Sequence, residues 1–374
     1  MTWLKPLALI FLSGTAVAMP AHAQTDLDPL MAEELLDLVL SQCRAGQAVQ
    51  AQRLAQDIQA QLPTTPAVDA LLAPVLNGAC AAPAPRASLR ELHLSVGWDD
   101  NVNLGVLANS VTFASPGQSV TFLLDDSYKP VRSAYLSATG LYQTQTTNGW
   151  TLQTQWGARQ LLDYSALNTL GLQVMGQRSL HAMGMPGQLT LAWAETWLDA
   201  RHFRSAPSVA WQSQPSAGQQ GWVWNLTAQQ HDYANNTFDA RQLQAGVTHL
   251  SRPDARTQIS WGAGWLHDQA LGERAGGHRQ GINLQAGWQH ARFDGVWHAQ
   301  WAHQQWTSAQ DFLPGLMDYR RSNRTTVATL GYQRPLKAGG VGYIEYQHRN
   351  SSDNVPLYAY RSNQLGVGWM LRWP

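Results

Sequence analysis

From about residue 87 to the C-terminus, apolar and polar residues alternate in segments of about ten to fourteen residues, the length of strands that cross a bilayer at a tilt. Fourteen such segments can be counted. In one of them apolar and polar side chains alternate over ten positions: Trp150, Leu152, Trp156 and Ala158 against Thr151, Gln153, Gln155 and Arg159. The pattern predicts a mainly β fold, a fourteen-stranded antiparallel transmembrane β-barrel over residues 89–374 with a polar lumen. Residues 201–214 form the poorest strand, because Pro207 interrupts them.

The connections between these segments alternate in length. "TQTTNG", "GMPG", "SRPDA" and "ARFDG" are short and rich in turn residues, whereas those between them include residues 103–131 and "TSAQDFLPGLMDYRRS". Barrels of the outer membrane have short periplasmic turns and longer external loops. An even strand number puts both ends of the barrel on the periplasmic side, so residues 24–80 are expected in the periplasm.

The stretch "GWDDNVNLG", residues 97–105, follows the first predicted strand. Continued alternation directs one set of side chains to lipid and the other to the lumen: Leu92, Leu94, Val96, Trp98, Val102 and Leu104 against His93, Ser95, Asp99, Asn101 and Asn103. Asp100 does not fit this alternation. A calcium loop is the alternative, but the glycine and the distant bidentate Glu that close such loops are missing. The stretch therefore predicts a polar rim at the external end of the lumen.

The last residues, "NQLGVGWMLRWP", carry apolar side chains at every second position: Leu365, Val367, Trp369, Leu371 and Trp373. This looks like the terminal strand of bacterial outer-membrane proteins, which the barrel-insertion machinery reads; that pattern usually ends on the aromatic residue, and here Pro374 follows. A soluble β-sandwich would alternate as well. It would not place Trp so often on the apolar face near strand ends, as the aromatic girdle of a membrane barrel does.

Composition agrees with a barrel: 44% of residues are apolar, 13% are charged, the net charge is zero, and 17 of 374 residues are Trp. A neutral chain has no general attraction for nucleic acid. Two Cys are too few for a disulfide scaffold or a four-thiolate metal site. No cofactor or metal is predicted.

The N-terminus, "MTWLKPLALIFLSGTAVAMPAHA", is typical of a signal peptide over residues 1–23, with Ala21, His22 and Ala23 at the cleavage site. The mature chain is expected to begin near Gln24 and to be exported. No later segment approaches the run of about 18 apolar residues that a membrane helix needs, but a closed barrel crosses without one.

Residues 24–80 predict three short helices, separated at Gly46 and at Pro63 and Pro66. The segment is similar to a tetratricopeptide repeat, of which about one and a half units are present, whereas a freestanding stack needs about three. In such a stack the helices that end at Cys43 and Cys80 are parallel, so the resemblance implies a disulfide that would stabilise the segment by roughly 3–4 kcal/mol. Two free thiols are the alternative. Residues 81–88, "AAPAPRAS", form the linker to the barrel.

An outer-membrane hydrolase is a further class to weigh, since such barrels use His, Asp, Ser or Asn at strand ends. Eight of the twelve His lie scattered over strands and loops: His93, His231, His249, His267, His290, His298, His303 and His348. The chain has no GxSxG nucleophile motif beside them, and no His pair has the short spacing of a helical zinc motif. The pattern favours polar filling of the lumen over catalysis, and no enzyme is predicted.

The order of helices, linker and barrel, with "GWDDNVN" on the first strand and "SDNVPLYAYRSNQLGVGW" leading into the last, resembles the surface lipoprotein assembly modifiers. In that family a periplasmic tetratricopeptide domain precedes a fourteen-stranded barrel that helps lipoproteins reach the outer face of the outer membrane. The matching residues are Asp99, Asn101 and Asn103 in the first motif and Pro356, Leu357, Tyr358 and Tyr360 in the last hairpin. The periplasmic part is much shorter here than in the family.

The resemblance implies that the helices dock a lipoprotein at the barrel mouth and that the barrel passes it to the surface. The two motifs are expected to meet at the external end of the seam between the first and last strands. A related architecture exports exopolysaccharide through a polar lumen, and this alternative stays open. The predicted lumen-facing side chains include Gln153, Arg159, Gln285, Gln300 and Arg372.

Overall fold

The computed structural model describes residues 38–43, 48–61, 72–77, 88–115, 118–146, 148–182, 184–214, 220–292, 294–315, 317–336 and 340–373. The expected signal peptide, Cys80 and residues 81–87 of the expected linker lie outside these ranges. Among the described residues, no helix has the length and apolar character needed to cross a membrane.

Fourteen strands in the described ranges form one closed antiparallel barrel. They are β1 (Leu89–Asp99), β4 (Ser133–Gln145), β5 (Trp150–Leu161), β6 (Thr169–Ala182), β7 (Met185–Leu198), β8 (Arg201–Ser213), β9 (Gly221–Tyr233), β10 (Ala240–Asp254), β11 (Thr257–Ala270), β12 (Arg279–Arg292), β13 (Gly295–Leu313), β14 (Met317–Pro335), β15 (Val341–Asp353) and β16 (Tyr360–Trp373). Each strand from β4 onward pairs with its neighbour in sequence, and β1 pairs with both β4 and β16. The predicted fourteen-stranded barrel is confirmed.

The two ends of the barrel differ in their connections. At one end, here called the turn end, β10 joins β11 through residues 255–256 and β6 joins β7 through residues 183–184. The other end, the loop end, carries residues 100–132 between β1 and β4, which include a hairpin of β2 (Ser110–Ser115) and β3 (Gln118–Leu123). Short 3₁₀ turns also lie at the loop end: Asp126–Tyr128, Ser165–Leu167, Asn236–Phe238 and Pro356–Tyr358.

The outer face of the barrel is apolar and the inner face is polar. Residues directly opposite each other on paired strands share a face. The outward sets include Leu94, Val96 and Trp98 of β1, which lie opposite Trp369, Val367 and Leu365 of β16 in that order. Trp222 and Trp261 meet edge to face on the outside near the turn end, with ring centroids 5.1 Å apart. A lipid-facing apolar wall with aromatic rings toward its rim is the surface that a bilayer requires of a barrel.

One predicted feature of the first strand is wrong. Alternation was expected to continue to Leu104, but β1 ends at Asp99, so Val102 and Leu104 do not lie on the lipid face of a strand. The Asn101 side chain bonds both backbone groups of Gly105, and the Leu104 N–H donates to the Asn101 carbonyl at 3.2 Å. These bonds close a turn in which Leu104 has a φ of 49°, in the left-handed region.

Residues 201–214, the poorest predicted strand, do form a barrel strand. β8 pairs with β7 from Arg201 to Ser213 with one irregularity at Phe203, whereas its ladder with β9 holds at Ser205 and Ser208 and skips the two residues between them. Pro207 lies in that gap and has no N–H to donate. The strand forms despite Pro207 because its other edge is paired with β7 on both sides of the proline.

The N-terminal helical unit has its own small core. Helix α1 (Ala48–Gln61) packs with the helical residues 38–43 and 72–76. The buried side chains are Val39, Cys43, Ala51, Ala55, Ile58, Leu72 and Val75. Val39 and Ile58 lie in this core, whereas Leu38 is exposed.

The disulfide between Cys43 and Cys80 stays a prediction, since Cys80 lies outside the described residues. Cys43 is buried in the helical core. We expect alkylation of the intact, unreduced protein to leave its mass unchanged. The same treatment after reduction should add two alkyl groups, and two labelled thiols without reduction would contradict the disulfide.

Candidate functional site

Two clusters of lumen-facing side chains lie toward the loop end of the barrel. The seam cluster, where the first and last strands meet, consists of Asp99, Asn101, Tyr135, Arg159 and Ser362. The Arg–Trp cluster, on β12 to β15 and the turn after β15, consists of Arg279, Trp306, Arg321, Asp353 and Tyr358. The first was predicted in part from the sequence, and the second was not.

Asp99 is the centre of the seam cluster and is 4% exposed. Its carboxylate accepts a hydrogen bond from Ser362 Oγ at 2.9 Å and another from Arg159 Nη2 at 2.9 Å. The guanidinium of Arg159 lies 4.2 Å from the centre of the Tyr135 ring. One carboxylate thus joins the first strand to the last strand and to β5, with its charge compensated by Arg159.

Asn101 is 1% exposed and holds the turn that follows β1. Its side-chain amide donates to the carbonyls of Gly105 at 3.0 Å and Arg361 at 2.7 Å, and its Oδ1 accepts from the Gly105 N–H at 2.6 Å. Both N–H donors of this buried amide and one lone pair of its oxygen are therefore bonded to the backbone, and only the second lone pair is left.

Asp100, which did not fit the alternation, also binds the last strand. Its carboxylate accepts from the backbone N–H of Asn363 at 2.7 Å and from the Asn363 side chain at 2.6 Å. Asp100 directly follows the last residue of β1, and its partner Asn363 is next to Ser362 in β16 and therefore on the opposite face of that strand. Asp99 therefore binds β16 on its lumen side, and Asp100 binds it on its outer side.

The other residues of the predicted rim lie at the loop end but make separate contacts. Asn103 binds the carbonyl of Lys129 and the N–H of Val131, which leads the loop into β4. Tyr360 is the first residue of β16 and is buried, and Tyr358 packs against Arg321. The first-strand motif thus meets the last strand at Arg361, Ser362 and Asn363.

The loop between β1 and β4 also contains short-range hydrogen bonds of its own. The Ser127 N–H donates to Asp125 Oδ1 at 2.9 Å, and this bond holds the pKa of the Asp125 carboxyl below its usual value. Asn109 lies in the same loop and is exposed.

The predicted lumen-facing residues outside the rim keep their expected face. Gln285 donates to Thr248 Oγ1 at 2.9 Å across two strand pairs, and Arg372 Nε donates to Glu91 Oε1 at 2.6 Å near the turn end. Arg159 lies in the seam cluster, Gln300 is paired with Gly287, and Gln153 lies on the face of β5 that carries Arg159.

The Arg–Trp cluster is built around the ring of Trp306, which is 6% exposed. The guanidinium carbons of Arg279 and Arg321 lie 4.3 Å and 5.1 Å from the ring centre. Arg321 also lies 3.4 Å from the centre of the Tyr358 ring and is paired with Asp353, Nη2 to Oδ2, at 2.8 Å. A cation over an aromatic face is attracted to the ring, by about 2 kcal/mol in a partly desolvated site.

Sequence reasoning missed this cluster, although one signal was present. Trp297 and Trp301 of β13 are at odd positions and face outward, whereas Trp306 is at an even position. On this strand the even positions face the lumen, so an aromatic residue at an even position points into the lumen. The even position of Trp306 could therefore have indicated the cluster.

Gly281 makes room for Trp306, its direct partner on the paired strand. A Cβ at Gly281 would lie 2.1 Å from the Gln305 carbonyl oxygen and 2.8 Å from Trp306 Cα. Gly281→Ala should lower the unfolding free energy by about 1–3 kcal/mol through this overlap. The matched control is Gly171→Ala, where the nearest atom is 3.9 Å away. The temperature of heat-modifiable gel migration measures both, and equal transitions would contradict the packing.

Five of the eight histidines do not face the lumen as predicted. His249, His267, His290, His303 and His348 face outward, four of them beside outward Trp rings, such as His290 stacked on Trp288 and His303 on Trp301. His93, His231 and His298 keep the lumen face. Alternation fixes the face of each position, and an imidazole on the apolar face is accommodated by stacking on a ring.

A Ser, a His and a Glu meet on the outer face near the loop end. His202 Nε2 lies 3.1 Å from Ser205 Oγ and 2.9 Å from Glu195 Oε2, and Ser205 also donates to Glu195. In a Ser–His–acid triad the serine and the acid bind opposite ring nitrogens. Here both meet the same nitrogen, so the three groups form a hydrogen-bonded set without the geometry of a relay.

Within the described ranges, no group of three or more His, Cys, Asp or Glu side chains could hold a metal ion. The carboxylates of Asp99, Asp100 and Asp353 are bound by Arg, Ser, Asn and backbone N–H groups.

No protein-family model matches the chain, and no curated protein matches its sequence. Among solved structures it is similar to OccAB3 of Acinetobacter baumannii, at 10% identity and a TM-score of 0.40 over 76% of this chain and 99% of that one. It is also similar to the outer membrane protein opdK of Pseudomonas aeruginosa, at 10% identity and 0.36 over 77% and 99%. A third is a bacterial polysaccharide outer membrane secretin, at 8% identity and 0.39 over 76% and 98%. Likeness at this level says nothing about what this chain carries.

Proposed function

We propose that this chain is an outer-membrane barrel that assists the translocation or display of a surface lipoprotein. The observation that carries the proposal is the contact between the two motifs of the family resemblance. Asp99, Asp100 and Asn101 bind Arg361, Ser362 and Asn363 across the seam. Residues about 260 positions apart thereby form one unit at the loop end.

The location in the outer membrane is supported by the apolar outer face of the barrel, its aromatic residues and the expected signal peptide. The helical unit is proposed to lie in the periplasm, because an even number of strands returns both barrel ends to one side. In this arrangement the loop end faces outward.

The proposed mechanism needs no cofactor and no nucleophile. The helical unit docks the cargo on the periplasmic side, and the barrel passes it to the cell surface or assists its insertion. The seam cluster keeps the first and last strands joined at the end where the cargo would leave.

Export of an exopolysaccharide is the second candidate, and one observation favours it. The lumen carries Gln side chains whose amides suit the hydroxyl groups of sugars, such as Gln285.

Gene deletion followed by surface proteomics separates the two candidates. Surface biotinylation should show the loss of one or more lipoproteins from the cell surface, with their total amounts unchanged. Complementation with the unaltered chain should restore display. Unchanged surface lipoproteins with loss of a capsule or matrix polymer would contradict the proposal and support polymer export.

A further inference from the structure

The charges of the Arg–Trp cluster and its neighbours do not balance. Arg321 is paired with Asp353, whose side chain is 0% exposed, at 2.8 Å. Arg274 binds Asp268 through two guanidinium nitrogens, at 3.3 Å and 2.5 Å. Each of these two carboxylates therefore already has its own guanidinium.

Arg279 is the third guanidinium of the group. Among the described residues, no carboxylate lies within 4.0 Å of its nitrogens, and its buried Nε has no hydrogen-bond partner. Asp268 stands opposite it on the paired strand, but that carboxylate is bound by Arg274. A cation withdrawn from water without a counter-charge is unfavourable, and a bound anion removes that cost.

The position of Arg279 is fixed by the barrel itself, before any ligand binds. It is the first residue of β12, and its guanidinium is held over Trp306, which Gly281 admits to close approach. The residue as a whole is partly exposed on the lumen face, so a ligand in the lumen can approach it. A planar fork of donors in a fixed orientation suits an oxyanion with two or more oxygens.

We propose that Arg279, supported by Trp306, is a binding site for an oxyanion group, a phosphate or a carboxylate, at the loop end of the lumen. The group belongs to whatever the barrel passes or to a free ion of the same chemistry. The site depends on the barrel fold and not on which cargo proposal holds.

Isothermal titration of the detergent-purified full chain tests the site, with inorganic phosphate and glucuronate as separate probes. At least one probe should bind the unaltered protein, and R279Q should lower its affinity at least about tenfold, because the guanidinium without a carboxylate partner is lost. R279K should retain part of the affinity, since Lys keeps the charge without the fork.

R372Q is the matched control, because it removes a lumen-facing cation of β16 that lies near the turn end and is paired with Glu91. Its affinity should stay within about twofold of the unaltered protein, since the loss of a distant, screened charge has little effect. Tighter binding of phosphate supports a phosphate-bearing partner, and tighter binding of glucuronate supports a sugar acid. No binding of either probe, or equal losses in R279Q and R372Q, would overturn the site. Heat-modifiable migration of each variant confirms that the barrel is closed.

Discussion

Replacing Trp156 by Arg should destabilise the membrane-inserted barrel by about 2–4 kcal/mol, because a guanidinium would enter the hydrocarbon region near its middle. Trp156 lies midway along β5, is 40% exposed on the outer face, and covers Gly140 on the neighbouring strand. Denaturant unfolding of the refolded protein in lipid vesicles measures the loss. The folded fraction on a gel without heating should fall in parallel.

The neighbouring position supplies the matched control. Gln155→Arg adds the same charge on the lumen face and should change the unfolding free energy by about 0.5 kcal/mol or less, since water can reach it. Trp156→Leu removes the ring but keeps the position apolar, so it separates lost packing from buried charge. If both Arg variants lose the same stability, the assignment of the two faces is wrong.

Asn101→Ala should be the most damaging truncation to Ala in the seam. It removes three side-chain hydrogen bonds and leaves the Arg361 carbonyl and the backbone groups of Gly105 without partners in a buried site. The expected loss is about 2–3 kcal/mol. The measurement is the temperature at which the folded form disappears on a gel, together with denaturant unfolding in vesicles.

Asn109→Ala is the control for Asn101, because it truncates an exposed Asn in the same loop. It should shift unfolding by about 0.5 kcal/mol or less. A similar effect of the two substitutions would mean that the seam contacts contribute little to barrel closure.

The barrel and its two faces follow from local alternation, which depends only on chain geometry and on lipid outside and water inside. Leu94, Val96 and Trp98 of β1 and the outward residues of β16 were predictable for this reason. The closing pair of β1 and β16 was also predictable, because a closed barrel has no free edge.

The turn after β1 was not predictable from alternation. The pattern of apolar and polar residues continues through Val102 and Leu104, but the side-chain bonds of Asn101 end the strand at Asp99. A buried Asn that satisfies a nearby backbone competes with strand pairing, and the sequence pattern carries no sign of which one prevails.

The Arg–Trp cluster depends on residues brought together across several strands. Arg279, Trp306 and Arg321 lie on three consecutive strands, and their contacts are set by strand register. Parity alone shows that Trp306 faces the lumen. It does not show which Arg side chains reach the ring, since their neighbours are fixed only when the strands pair.

The two faces of the wall are tested most directly by thiol labelling of Gln155→Cys and Trp156→Cys in native membranes with a charged, membrane-impermeant reagent. Labelling of the unaltered chain, which contains two Cys, gives the background to subtract. The barrel described here predicts rapid labelling at position 155, which faces the water-filled lumen, and protection at position 156, which faces lipid. Equal labelling at the two positions, or labelling at 156 alone, would contradict it.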